Sequence, residues 1–61
     1  MWIVERLDEP KSYFDGWQWT PNRALAREWI HRNEAVLAMT DQWKRMTFQQ
    51  RKYVRFREVS E

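Results

Sequence analysis

The 61-residue chain contains no cysteine, so disulfide bonds, thiolate metal ligands and thiol nucleophiles are all excluded. Small extracellular domains usually need disulfides for stability, and their absence here predicts a reducing, cytoplasmic location. The single histidine, His31, falls short of the set of His, Cys or carboxylate ligands that a zinc site requires. We therefore expect no metal and no cofactor, and we interpret His31 as a solvated residue beside a helix end.

Glycine is almost as rare, and the one glycine, Gly16, lies among aromatic residues and not at the start of a helix. P-loop and Rossmann nucleotide sites need glycine-rich backbone at a helix N-terminus, so both are excluded. No serine lies beside the histidine or at a glycine-flanked turn, which leaves no basis for an elbow-type nucleophile. A chain this short also has little volume for a pocket that shifts pKa values. We expect a protein that is not an enzyme.

Long apolar runs are missing as well. No stretch approaches the roughly 18 residues that read as a membrane span, and Glu5 and Arg6 follow the first apolar residues too soon for a signal peptide. We expect neither a membrane anchor nor a targeting segment. With 43% hydrophobic and 33% charged residues, the composition is that of one globular domain covering residues 1–61.

Charge is unevenly distributed, although the formal net charge is only +2. Residues 5–15 carry four acidic and two basic side chains, whereas residues 44–57 carry six basic side chains and no acidic one. A basic segment of this kind is typical of chains that bind nucleic acid or an acidic protein.

The order of patterns along the chain predicts an α+β domain of the ββαβ type. Residues 2–7 mix β-branched, aromatic and charged residues and predict the first strand, which ends in a hairpin loop at Pro10. A second strand is expected within residues 12–19, where Gly16 favours a bulge or tight turn. Alternating basic and apolar residues over 52–59 predict the last strand.

A helix is predicted to begin at Thr20-Pro21, because threonine is a good N-cap and proline fits the first helical position. Apolar residues with helical spacing define a core-facing stripe: Leu25, Trp29, Val36, Met39 and Trp43. Arg32 falls within this stripe. That conflict favours a break near residues 31–33, with Asn33 capping a second helical segment, over one kinked helix.

Beyond the helix, Thr47 and Gln50 have the spacing of a capping box and predict a brief helical turn. Together the elements predict a three-stranded sheet with one helical layer, in which the first and third strands are neighbours. The other face of such a sheet is open, so aromatic residues on it need a ligand, a partner protein or a second copy of the chain.

Aromatic residues of the second predicted strand are the first candidate binding site: Tyr13, Trp17 and Trp19. On an uninterrupted strand these alternate residues share one face. Tryptophan and tyrosine dominate protein-binding hot spots because each buries a large area at low entropic cost. Three interpretations stay open: a protein-binding face, packing of Trp17 and Trp19 into the core, or a homodimer through this face.

The basic C-terminal segment is the second candidate site, for nucleic acid: Arg51, Lys52, Tyr53, Arg55 and Arg57. Arginines that alternate on a strand could follow a phosphate backbone, and aromatic residues could stack on bases. The strand lacks the glycines of an RNA-recognition motif. A solvated basic face opposite an apolar Val54 and Phe56 face accounts for the same residues.

The layout resembles that of small uncharacterised bacteriophage and prophage proteins that run hairpin, helix and strand. The matching features are Trp2-Ile3-Val4, Tyr13 before Trp17 and Trp19, Ala26 and Trp29 followed by Asn33-Glu34-Ala35, and the closing Val54-Arg55-Phe56. The resemblance implies a protein made in the cytoplasm of a bacterial host, where such products bind host enzymes or nucleic-acid machinery. It carries over no catalytic residue. The predicted function is therefore host-protein binding, with nucleic-acid binding as the alternative.

Overall fold

The computed structural model describes residues 1–60 and contains a four-stranded sheet with three short α-helices. The elements in chain order are β1 (Trp2–Arg6), β2 (Ser12–Phe14), β3 (Trp19–Thr20), a 3-10 turn (Arg23–Leu25), α1 (Arg32–Ala38), α2 (Thr40–Arg45), α3 (Phe48–Arg51) and β4 (Val54–Glu58). The predicted α+β class is confirmed. The predicted strand count of three is wrong, because the sheet has four strands, and the helical layer expected to be broken near residues 31–33 consists of three short helices.

The sheet is antiparallel throughout, with the order β3-β2-β1-β4. β1 lies inside the sheet and pairs Glu5 with Tyr13 of β2 and Val4 with Phe56 of β4. The first and last strands are thus neighbours, as predicted. β3 and β4 form the two edges of the sheet.

The fourth strand arises because the segment predicted as one strand reverses at Gly16. Gly16 has φ of +98°, a conformation that side-chain-bearing residues rarely adopt. The Asp15 carboxylate accepts hydrogen bonds from the backbone N–H groups of Trp17 and Gln18, both at 2.8 Å. The bulge or turn expected at Gly16 is therefore a complete reversal, and β3 returns antiparallel to β2.

The helix start predicted at Thr20-Pro21 is wrong. The Thr20 hydroxyl accepts from the N–H of Asn22 at 3.2 Å, and the Asn22 side chain accepts from Ala24 at 3.0 Å, which caps only one 3-10 turn. The chain then extends along the sheet. The N–H of Trp2 donates to the carbonyl of Trp29 at 2.6 Å, and the N–H of Trp29 donates back at 2.8 Å. This pairing joins two residues that are far apart in sequence, and it replaces the helix that local periodicity favours.

Helix α1 begins at Arg32, so the break expected near residues 31–33 is the true start of the helical layer. The Glu34 carboxylate accepts from the N–H of His31 at 3.0 Å and fixes this first turn. The cap residue is His31 and not the expected Asn33. His31 is exposed, as its interpretation as a solvated residue required.

The short helix α3 follows the predicted capping box. The Thr47 hydroxyl accepts from the N–H of Gln50 at 3.2 Å, and the Gln50 side chain accepts from the N–H of Thr47 at 2.9 Å. Two local signals, the capping box here and the turn at Gly16, thus set where the chain changes direction.

The core fills the space between the helices and one face of the sheet, which we call the covered face. Its residues are Val4, Phe14, Trp29, Ala35, Met39, Met46 and Val54, with Trp19 and Phe56 at its margin. The ring of Phe14 lies 6.3 Å from that of Trp29 in a near-parallel stack. Of the predicted apolar stripe, Trp29 and Met39 are buried as expected, whereas Leu25, Val36 and Trp43 are exposed.

The opposite side of the sheet, which we call the second face, has a different character. Directly paired residues of an antiparallel sheet point to the same side. The strand registers therefore place these residues on the second face: Ile3, Glu5, Tyr13, Thr20, Arg55 and Arg57.

Candidate binding surfaces

The three aromatic residues predicted to bind a protein lie in three different places. Because the chain reverses at Gly16, Trp19 lies on the covered face, where its ring centroid is 5.5 Å from that of Phe14. Tyr13 lies on the second face, and Trp17 lies at the tip of the turn with 83% of its surface exposed. The shared aromatic face expected from strand alternation is absent, and a binding role for these residues stays a prediction.

An apolar groove instead opens between α1, α2 and the edge strand β4. It has a volume of about 310 Å³ and is lined by Val36, Met39, Thr40, Trp43, Lys44 and Phe56. Met39 is part of the core, whereas Trp43 is 40% exposed and Val36 is 38% exposed. The groove is thus an extension of the core that reaches the surface.

Cations lie on and beside the aromatic residues of the groove, and no acidic side chain is among its lining residues. The guanidinium of Arg32, the first residue of α1, lies 5.1 Å from the ring centroid of Phe56. The guanidinium of Arg51, the last residue of α3, lies 5.4 Å from the ring of Trp43 and donates to the Trp43 carbonyl at 2.9 Å. Such contacts favour a cation over an aromatic face. Together with Lys44, they give the groove a positive rim.

Other exposed apolar side chains surround the molecule, including Leu25, Ile30, Leu37 and Phe48. Apolar side chains exposed singly are normal on soluble proteins. At the groove, by contrast, Val36, Trp43 and Phe56 converge on one concavity. Convergence, rather than exposure, distinguishes this surface.

The second face of the sheet carries a cluster of charges around one buried carboxylate. The side chain of Glu5 is 6% exposed, and its Oε2 lies 3.5 Å from the Lys11 ammonium and 3.7 Å from the Arg57 guanidinium. The ring of Tyr13 lies 5.8 Å from the Lys11 ammonium and 5.9 Å from the Arg23 guanidinium. With Arg55 on the same face, this surface is basic.

The structure divides the residues predicted to bind nucleic acid between two sides of the molecule. Arg55 and Arg57 lie on the second face. Arg51 packs on Trp43 at the groove, and the Lys52 ammonium lies 5.2 Å from the ring of Phe48. Tyr53 is 42% exposed just before β4 begins. The other basic residues of the second face are Lys11 and Arg23, which were not predicted from the sequence.

The two carboxyl groups with shifted pKa values stabilise turns. Hydrogen bonds from the backbone N–H groups of Gln18 and Trp17 lower the pKa of Asp15 below its usual value. A hydrogen bond from the Arg6 side chain, aided by its charge, lowers the pKa of Asp8, which lies in the β1–β2 loop. Both groups are held in their charged form by local partners.

Comparison with protein-family models, curated proteins and solved structures finds no match to this chain. Among residues 1–60, no three His, Asp or Glu side chains cluster in a way that could hold a metal ion. Nor does this part of the chain contain a helix with the length and apolar character needed to cross a membrane. Function must therefore be inferred from the two surfaces themselves.

Proposed function

We propose that this protein is a protein-binding module whose contact surface is the apolar groove between α1, α2 and β4. The observation that supports this proposal is the convergence of Val36, Trp43 and Phe56 on one partly exposed concavity with a positive rim. Tryptophan and arginine are the residues most enriched in binding hot spots, and hot spots cluster where an anchor can be fully desolvated.

The size of the groove favours a short segment of a partner as its occupant. A volume of about 310 Å³ lies at the lower end of the roughly 300–1,000 Å³ typical of ligand sites. Its lining includes the polar residues Thr40 and Lys44, but almost all of its surface is apolar, which offers little to orient a polar small molecule. Apolar side chains of a partner, with acidic groups near the rim, match this lining.

We keep the partner as a protein of a bacterial host. This part of the proposal is supported by the resemblance to phage-encoded proteins alone. The proposal differs from the sequence-based prediction in its surface. The groove takes the place of Tyr13, Trp17 and Trp19, because these three residues do not form a common face.

Selection from a random linear peptide library displayed on a particle surface tests the proposal and does not require the natural partner to be identified. Immobilised protein is expected to enrich clones whose binding is lost with Trp43→Ser, because this substitution removes one wall of the groove. Leu37→Ser is the matched control, since Leu37 is 71% exposed and does not line the groove. Both variants are first checked for a native circular dichroism spectrum.

The groove is supported as the binding site if enriched clones bind Leu37→Ser and the original protein with equal affinity. The same clones should bind Trp43→Ser at least about tenfold more weakly. A loss of roughly that size corresponds to one hot-spot side chain. Equal binding to both variants, or no enrichment by a folded protein, contradicts the proposal.

A second candidate function, nucleic-acid binding, is favoured by the basic cluster on the second face. Lys11 and Arg23 lie over the ring of Tyr13, Arg55 and Arg57 lie on the same face in β4, and the charge of Glu5 is already compensated within the cluster. Such a surface suits a phosphate backbone with a base stacked near the tyrosine ring.

Fluorescence anisotropy with a labelled single-stranded oligonucleotide tests this candidate. The expected result is binding that weakens steeply as salt rises and that is lost in the double variant Arg23→Gln, Arg55→Gln. The control Lys44→Gln, Arg45→Gln removes the same charge from α2. Equal losses in the two variants would indicate attraction by net charge alone and would exclude a site on the second face.

A further inference from the structure

The edge strand β4 leaves part of its backbone without a hydrogen-bond partner, and its register shows which groups these are. Met1 and Val59 exchange backbone hydrogen bonds at 3.1 and 2.7 Å, and the N–H of Leu7 donates to the carbonyl of Tyr53 at 3.0 Å. Antiparallel pairs alternate between bonded and non-bonded residues. The odd-numbered residues of β4 therefore bond to β1, and the even-numbered ones direct N–H and C=O groups away from the sheet.

Phe56 is the central residue of this outward set. Within residues 1–60, the outward carbonyl of Val54 accepts from the Arg55 guanidinium at 2.8 Å, whereas no such bond involves the backbone of Phe56 or Glu58. The side chain of Phe56 meanwhile lines the groove. One residue thus joins an unpaired strand edge to an apolar concavity.

A strand added to this edge would present its side chains alternately to two different surfaces. On the covered-face side they would enter the groove beside Phe56. On the other side they would meet Arg55 and Arg57, which are exposed on the second face.

We propose that β4 binds an extended segment of a partner protein in which apolar side chains, received by the groove, alternate with acidic side chains that face Arg55 and Arg57. This inference rests on the proposed function of the groove and specifies the conformation and chemistry of its partner. Main-chain pairing supplies affinity in this mode, and the alternating side chains supply specificity.

A second copy of the chain fits this edge less well. Antiparallel pairing of two β4 strands centred on Phe56 would place Arg55 opposite Arg57 of the second copy. Like charges directly opposite one another destabilise a strand pair. The same arginines that oppose self-association therefore favour an acidic partner.

The probe for this inference is a peptide of about nine residues with blocked ends, in which valine and glutamate alternate at the roughly 3.3 Å spacing of a strand. We expect isotope-labelled protein titrated with this peptide to show slowed amide exchange at Phe56 and Glu58, because those N–H groups gain partners. A peptide of the same pattern with lysine in place of glutamate is expected to bind at least about tenfold more weakly, because it repels Arg55 and Arg57.

Two N-methylated versions of the probe supply the matched control. One is methylated on the valine amides and the other on the glutamate amides, so each blocks one of the two alternate sets of N–H groups. Only the set that faces β4 matters in strand pairing, and blocking it is expected to weaken binding at least about tenfold. Loss with the valine set indicates antiparallel addition, and loss with the glutamate set indicates parallel addition.

The outcomes separate this inference from the proposed function. Equal effects of the two methylations overturn strand addition, and equal binding of the lysine peptide overturns the acidic partner; both outcomes leave the groove as a protein site. If the probe does not bind but the display selection yields groove-dependent clones, the inference is likewise overturned and the groove remains a protein site. Displacement of the bound probe by an oligonucleotide that binds more tightly also overturns the inference, because it assigns Arg55 and Arg57 to phosphate.

Discussion

The two faces of one small sheet are stabilised by different physical interactions. On the covered face, Val4, Phe14 and Val54 are removed from water against the helices, and shape and volume determine the stability. On the second face, the same strands place Glu5 and Tyr13 under long basic side chains. There a carboxylate is buried beside cations that stay about half exposed to water.

The neighbours Val4 and Glu5 illustrate this difference. Val4 is 0% exposed and Glu5 only 4%, so accessible area does not distinguish the two environments. Burial of Val4 is favourable by itself, whereas burial of Glu5 requires compensation for lost hydration. The covered face should therefore respond to changes in volume, and the second face to changes in charge.

The largest effect is expected from Phe14→Ala, which removes a ring that is 2% exposed and packed between Trp19 and Trp29. We expect a loss of about 3–5 kcal/mol in the free energy of unfolding. The adjacent residue provides the control. Tyr13→Ala removes a half-buried ring from the second face and is expected to cost about 1–2 kcal/mol.

Urea denaturation followed by circular dichroism measures both changes. A loss of about 3 kcal/mol or more is a large share of the stability of so small a domain, so a substantial unfolded population of Phe14→Ala is expected without denaturant. Equal costs for the two substitutions would contradict the distinction between the faces.

On the second face we expect a smaller loss of stability, which arises from lost charge compensation and not from lost volume. Removing both cations with Lys11→Met and Arg57→Met leaves the Glu5 carboxylate buried without a counter-charge and should cost about 2–3 kcal/mol. This is less than for a fully buried ion pair, because both cations are about half exposed. Glu5→Leu should cost less than about 1 kcal/mol, because it removes the desolvation penalty together with the ion pairs.

Combining all three substitutions gives the decisive comparison. If Glu5→Leu restores most of the stability that the two cation substitutions remove, charge compensation governs this face. If the triple variant is the least stable, the basic side chains act through packing of their stems instead, and the two faces are more alike than we infer.

Local signals in the sequence account for the parts of the fold that depend on neighbouring residues. The capping box at Thr47 and Gln50 starts α3, and the start of the helical layer lies near the predicted break. The stretch from Thr20 to Ile30 could not be predicted in this way. Its strand-like pairing depends on Trp29 meeting Trp2, which is distant in sequence, and helical periodicity is lost to that tertiary contact.

The candidate groove could not be predicted from the sequence, for a related reason. Helical periodicity assigns Val36 and Trp43 to the core, since apolar spacing cannot tell a buried position from one at the end of a helical layer. The one hint of the groove in the sequence is the charged residue Arg32 within the apolar stripe. Its side chain lies over Phe56 at the groove, a contact that depends on how α1 packs against β4.

The smallest expected effect concerns an ionic contact at the margin of the covered face. The Arg6 guanidinium lies 5.2 Å from the ring of Trp19 and donates from Nε to Asp8 at 3.1 Å. Asp8→Asn should cost less than about 1 kcal/mol at pH 7, because the pair is near the surface. Hydrogen bonding to Arg6 lowers the pKa of Asp8 from its usual value of 3.8, so the folded state favours the carboxylate.

The sign of the pH dependence follows from that shift. A carboxyl with a lowered pKa stabilises the fold at pH values above about 3.8, and this contribution is lost as the pH falls through the lowered pKa. The stability difference between the original protein and Asp8→Asn should therefore narrow on acidification from pH 7 to about pH 2.5, as thermal unfolding would measure. A difference that stays constant would show that Asp8 acts through its shape alone, and that the covered face is free of ionic stabilisation even at its margin.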